Sequence, residues 1–212
     1  MRNNFKSSIE DLRQQVSDIL SEKRMKHVLA VEDMAKRLGM LYFPDDDESL
    51  WAINSAALLH DVTKELSDEQ QFALLESYSV KPLPEELQSM PTIHALTASL
   101  LIRDKFPEFD DERIVSSVKY HTTGRKGMSI YEKIVFLADY IEDTRVYPDC
   151  ISVRSFFWDA EPTEMDRSLR IKHLDLAVLS CIEKTLSHLV RSGKSIHPAT
   201  VEARDWLAGE EA

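Results

Sequence analysis

Residues 56–61 of the 212-residue chain read AALLHD, four apolar residues followed by His60 and Asp61 side by side. No other feature of the sequence limits the fold so tightly. A helix end this apolar belongs in the interior, and a carboxylate carried there without a partner costs several kcal/mol. The chain must therefore fold so that compensating charge from distant residues meets Asp61. Three more histidines and one more aspartate sit where they can do so. His27 falls at helical spacing with Val31, Met34 and Leu38, His94 with Ala98 and Leu101, and His121 with Ile114 and Val118. Asp139 lies within VFLADYI, on the face of Val135 and Phe136.

One inward-facing histidine is most often a core side chain satisfied by a backbone carbonyl. Four histidines and two aspartates aimed at one interior are a different case, because each needs a partner and a shared metal ion satisfies all of them together. Imidazole and carboxylate without thiolate suit iron, manganese or zinc rather than a cysteine-rich structural zinc site. The two cysteines, Cys150 and Cys181, have no metal-type spacing.

Cations fall beside the same positions. Lys64 follows Asp61 by three residues, Arg24 precedes His27 by three, and Arg145 comes just after the Asp139 segment. Together they form a rim suited to an anion, with the guanidinium groups offering forked hydrogen bonds to phosphate. Read alone, Lys64 is equally a solvated surface lysine, and Arg145 has Glu142 and Asp149 as neighbours. Arg125, in the Gly-flanked loop TTGRKG, either reaches the site or covers it. His197 and Pro198 sit at a helix start, where free backbone N–H groups favour an anion or a polar base edge. The formal net charge of −11 argues against a surface built for nucleic acid or anionic lipid, since both need clustered Lys and Arg.

Five glycines leave little hairpin chemistry, so the fold expected is all-α, and the length suits one domain over residues 1–212. Ser21 caps a helix that should end before Gly39. The acidic run DDDES opens another near Ser49, PTIHALTASLLIRDKF forms one after Pro91, and a further helix starts in DDER and ends near His121. Ser129 and Glu132 make a capping box for IYEKIVFLADYIE. A long helix runs from about Leu174 to Gly193, with Leu176, Leu179, Leu186 and Leu189 as its core stripe, and Pro198 opens a last short helix. Residues 143–172 show no clear period and are expected to be a partly ordered connection. The start MRNNFKSSIEDLRQQ has no apolar leader core, and no run of about 18 apolar residues occurs, which predicts a cytoplasmic protein.

The order His27, His60–Asp61, His94, His121, Asp139 resembles the HD superfamily of metal-dependent phosphohydrolases. More narrowly, EKRMKHVLAV, LLHDVTK, YHTTGRKGMSIYEKIVFLADYIE and SIHPATVEARDWL resemble the bacterial YqeK-type symmetrical bis(5'-nucleosyl)-tetraphosphatases, from about residue 21 to 207. The resemblance implies an HD-type helical bundle with a metal site in its core. It implies primary iron ligands His27, His60, Asp61 and Asp139, with Asp61 bridging to a second ion on His94 and His121, and manganese or another divalent metal as a substitute. It further implies Asp61, Lys64, His94 and His121 as the catalytic set. Arg24 and Arg145 join these and Asp139 around the nucleotide phosphates, and the loop Ser195, Ile196, His197, Pro198, Ala199, Thr200 wraps the nucleoside. The implied substrate is a dinucleoside polyphosphate and the product ADP, with a homodimer as the oligomer to expect. Another HD-type nucleotide phosphohydrolase, or a metal-containing nucleotide-binding regulator, uses the same residues.

Overall fold

The computed structural model describes residues 8–209, and among them it contains eleven α-helices and no strand. The helices are α1 (Ser8–Ser17), α2 (Glu22–Tyr42), α3 (Asp47–Leu59), α4 (Asp68–Ser77), α5 (Pro84–Gln88), α6 (Ile93–Lys105), α7 (Glu112–Tyr120), α8 (Ile130–Ile141), α9 (Pro148–Trp158), α10 (Arg167–Arg191) and α11 (Pro198–Ala208). The all-α expectation holds. Several starts are fixed by the expected caps. Ser21 accepts from the Arg24 amide, and Ser129 and Glu132 close a reciprocal capping box. The acidic run caps three residues ahead of its serine, with Asp46 accepting from the Ser49 amide.

Helices α2, α3 and α8 contribute to both apolar clusters of the core. One cluster joins Val31, Met34 and Leu38 of α2 to Ile53, Leu137, Phe157 and Val178. The other joins Val28 of α2 to Leu12, Ala56, Leu59, Ile114 and Val135. His27, His60 and Asp139 come from these three shared helices or their ends, so packing on two sides fixes the backbone that carries them. Among the described residues, no helix is long and apolar enough to cross a membrane.

The structure differs from expectation in four places. Helix α2 does not stop before Gly39 but runs through it to Tyr42. A Cβ at Gly39 would stand 3.0 Å from Leu50 Cδ2 and 3.2 Å from Ile53 Cδ1, so this glycine permits close approach of α3 instead of ending a helix. Residues 143–172 are not a loose connection. They form α9, whose Cys150, Val153 and Phe157 are buried, and the first turns of α10, capped by Asp166. The core stripe of α10 is Leu174, Ala177, Val178, Cys181, Ile182 and Leu186, while Leu176 is half exposed. Finally, α1, α4 and α5 were not anticipated, and Leu12 and Val16 of α1 extend the core ahead of residue 21. The outermost parts of the expected 1–212 span, residues 1–7 and 210–212, lie outside the described residues.

Gly124 ties the loop after α7 to α11. Its φ is +64°, and an added Cβ would lie 3.2 Å from Ala203 Cβ and 3.3 Å from Met128 Sδ. A left-handed residue with a Cβ costs about 1–2 kcal/mol before any crowding. Gly124→Ala should lower the unfolding free energy by at least that much, read as a lower urea midpoint with an unchanged m-value, and an unchanged midpoint would show that the loop relaxes freely.

Candidate metal centre and its cationic rim

His60 is the C-cap of α3, and Asp61 begins the hydrogen-bonded turn that follows it, closed by Lys64 N donating to Asp61 O at 2.9 Å. Helix α3 ends at Leu59, and the turn that follows puts Lys64 beside Asp61. His27 comes from α2, Asp139 from α8, His94 from the start of α6, and His121 caps the end of α7.

All four imidazoles are held in one way. His60 Nδ1 donates to Ala57 O at 2.6 Å, His94 Nδ1 to Pro91 O at 2.9 Å, and His121 Nδ1 to Val118 O at 2.7 Å. His27 Nδ1 donates to the Glu142 carboxylate at 3.2 Å. Carbonyls and carboxylates can only accept, so each Nδ1 carries the proton and each Nε2 presents a lone pair. The Nε2 atoms face inward. His27 Nε2 lies 3.0 Å from Asp139 Oδ1 and 3.7 Å from Asp61 Oδ2, and His60 Nε2 is 3.4 Å from Asp61 Oδ2 and 3.9 Å from Asp139 Oδ1. On the other side, Asp61 Oδ1 is 3.2 Å from His94 Nε2 and 3.8 Å from His121 Nε2, and those two nitrogens are 3.1 Å apart.

Each oxygen of Asp61 thus faces a separate group of acceptors. Lone pairs this close repel unless a cation sits among them, and the buried His60 Nε2 makes no hydrogen bond to anything described. Among the described residues, two overlapping sets satisfy metal-ligand spacing: His27, His60 and Asp139, and His60, Asp61 and His121. The residues present fit one or two divalent ions, with Nδ1 partners of the kind that orient ligating histidines.

The electrostatics agree. Burial pushes the His121 pKa down to about 3 and lowers that of His94, leaving both rings neutral. At Asp61, burial favours protonation, but His60 and His94 outweigh it and hold the pKa well below the usual carboxylate range. Asp139 behaves alike, with burial overcome by Arg145, His27 and His60. His60 is pushed down by burial and carried above its ordinary value by Asp61 and Asp139, a sign of how strongly this point attracts positive charge.

The three expected cations all reach this centre. Arg24 Nη1 lies 2.8 Å from Asp61 Oδ2, Arg145 Nη2 lies 2.5 Å from Asp139 Oδ1, and Lys64 Nζ is 3.2 Å from His94 Nδ1 and 3.3 Å from its Nε2. Arg145 therefore pairs with Asp139, not with the side chains of Glu142 or Asp149. Its Nε is buried without a hydrogen-bond partner among the described residues. Arg125 does not reach the centre: its guanidinium binds the buried Glu132 at 2.7 Å and 3.1 Å and lies over Tyr120.

The link between α10 and α11 carries Ser195 to Thr200. His197 is the N-cap of α11, its Nδ1 accepting from Ala199 N at 3.2 Å, and Thr200 is buried. Ile196 packs on the core, and Ser195 and Pro198 are exposed. His197 and Ala199 line a cleft with Thr92 and Ile93, which precede His94, and with Thr122 and Thr123, which follow His121. The loop thus lies against the segments that carry His94 and His121. A separate groove along Phe72, Leu75 and Val80 holds none of the converging groups.

Sequence reasoning overlooked Glu142 as a partner of His27, although it follows Asp139 by three residues and so shares its helical face. His173 is a core histidine whose Nε2 donates to Phe157 O at 3.0 Å, and His188 is exposed.

The family model for the HD domain matches residues 24–143. A symmetrical bis(5'-nucleosyl)-tetraphosphatase from Halalkalibacterium halodurans is 28% identical over 93% of this chain and 96% of its own length. One of the same name from Bacillus subtilis is 27% identical over 91% and 93%. A crystal structure from Clostridium acetobutylicum, described as a predicted HD superfamily hydrolase involved in NAD metabolism, superposes with a TM-score of 0.80 at 28% identity, covering 96% of this chain and 98% of that one.

Proposed function

The chain belongs to the HD domain family, and from that premise we propose that it is a metal-dependent symmetrical bis(5'-nucleosyl)-tetraphosphatase, cutting diadenosine tetraphosphate into two ADP. One observation carries the reading: the two oxygens of Asp61 face two groups of inward Nε2 lone pairs, with three cations beside them. Similarity to tetraphosphatases along nearly their whole length selects the substrate within the family.

In this reading iron is the cofactor, as one or two ions, with manganese or another divalent metal able to replace it. His27, His60, Asp61 and Asp139 would hold the primary ion, and His94 and His121 would hold a second together with Asp61. When bound, the metal activates water at neutral pH and withdraws charge from a phosphoryl oxygen. The chain's own groups do the rest. Lys64 stands beside His94, where charge grows on the phosphoryl oxygens, and stabilises it. Arg24 and Arg145 pair with Asp61 Oδ2 and Asp139 Oδ1, the same oxygens that face His27 and His60, and the unpartnered Arg145 Nε offers a further donor to phosphate. His94 and His121, neutral through burial, either ligate or contact the phosphates.

A symmetrical cut requires that one ADP be measured from its base to the reacting phosphorus. The cleft beside His197 and Ala199 is lined by residues that flank His94 and His121 in the chain, so a nucleoside held by Ser195 to Thr200 would set that length. The same reading places the enzyme in the cytoplasm, acting on free nucleotides and not on nucleic acid or membranes. A homodimer would cover the apolar Ile151 and Phe156 that α9 exposes.

Anaerobic incubation of the iron-loaded protein with diadenosine tetraphosphate, followed by chromatography, tests the proposal. ADP should be the sole nucleotide product, and chelation should abolish its release. AMP with ATP would overturn the symmetrical cut, and no turnover would overturn the substrate.

A further inference from the structure

We propose that Arg154 is a positioning residue: it holds the turn that carries Arg145 and so sets the affinity for the nucleotide diphosphate, an inference that rests on the phosphate role given to Arg145 above. The turn 142–145 links α8 to α9 and presents two groups to the metal centre. The Glu142 carboxylate receives His27 Nδ1 at 3.2 Å, as well as Thr144 N at 2.5 Å and Thr144 Oγ1 at 2.7 Å. Arg145 Nη2 donates to Asp139 Oδ1 at 2.5 Å. Both directions depend on where the backbone of this turn runs.

The carbonyls at the end of a helix have no partners within it. Here Arg154, from the middle of α9, supplies them. Its Nε donates to Ile141 O at 2.6 Å, and its Nη2 donates to Glu142 O and to Arg145 O, the latter at 2.8 Å. One planar guanidinium therefore spans the last turn of α8 and the residue whose side chain reaches Asp139. Asp143 lies 3.6 Å from Arg154 Nε and is itself held by Arg37 at 2.9 Å, which balances the charge from the solvent side. The hydrogen bonds of Arg154 go to these three carbonyls, and its ion pair is with Asp143. Any effect it has at the centre passes through the turn. A lysine has the charge but not the fixed fork needed for three divergent acceptors.

The test is calorimetric titration of ADP into the full-length, metal-loaded protein as wild type, R154Q, R145A and the double variant. Loss of a charged hydrogen-bonding group should make R145A bind ADP about 10- to 100-fold more weakly. R154Q should cost about 10-fold with Arg145 in place and less than about 2-fold in the R145A background, the coupling expected of one residue acting through another. A purely structural role would lower the melting temperature and add its binding loss equally in both backgrounds. Wild-type ADP affinity in R154Q, or equal losses with and without Arg145, overturns the inference. R145A binding ADP like wild type would instead refute the phosphate role of Arg145 and take this inference with it. If R154Q does not fold, R154K is read in the same cycle, with a loss in the same direction expected and full wild-type affinity overturning the proposal.

Discussion

Protein carrying Asp61→Ala, purified from metal-replete medium, will retain a small fraction of the wild-type metal and release ADP from diadenosine tetraphosphate at least about 10³-fold more slowly, since several kcal/mol of metal-supplied stabilisation are lost. No other side chain here is placed to have so large an effect. Oδ2 of Asp61 faces His27 and His60, and Oδ1 faces His94 and His121. Removing it takes a carboxylate oxygen from each group of histidines and the counter-charge from Arg24. Asp61→Asn keeps the shape and separates the causes. The amide cannot supply the negative charge that a bound cation needs, so it too should lose metal and rate, while far-ultraviolet circular dichroism stays helical. Metal content by mass spectrometry and nucleotide products by chromatography are the two readouts. Full metal content with full activity in Asp61→Ala would remove these residues from the reaction altogether.

The centre was far more legible in the sequence than the frame around it, and the reason is physical. Buried polar groups at helical spacing advertise themselves, because an unpaired carboxylate or imidazole inside is costly and has to be explained. That logic located His27, His60, Asp61, His94, His121 and Asp139, and the structure brings all six together. Glu142 and Arg154 escaped it because their partners are a ring nitrogen and backbone carbonyls, which leave no mark in sequence spacing. Gly39 misled as a helix stop because the tight seat of Leu50 and Ile53 against it is a tertiary fact. In α9, Cys150, Val153 and Phe157 carry a helical period, but Tyr147, Ile151 and Phe156 on the outer face obscure it. The stripe on α10 slipped for a related reason: leucines alone were counted, whereas the buried face also uses Ala177, Val178, Cys181 and Ile182.

Lys64→Ala should do the opposite of Asp61→Ala, keeping the metal while losing about 10²-fold in kcat/KM for diadenosine tetraphosphate, the effect of removing one well-placed donor to a charged transition state. The argument is positional. Lys64 is held by the Asp61 turn, and its Nζ stands within 3.3 Å of both nitrogens of His94 without being one of the converging acceptors. Burial lowers its pKa while Asp61 and Asp139 oppose that shift, so the ammonium depends on the same carboxylates that are proposed to hold the metal. Lys64→Met keeps the aliphatic stem and removes only the charge, and it should lose as much rate as alanine if charge is what acts. Metal content near wild type in both variants, with the loss in turnover, places Lys64 at the phosphates. If the two variants lose metal in proportion to rate, Lys64 serves to hold His94 in place, and if Lys64→Met turns over like wild type, the ammonium has no part in the reaction.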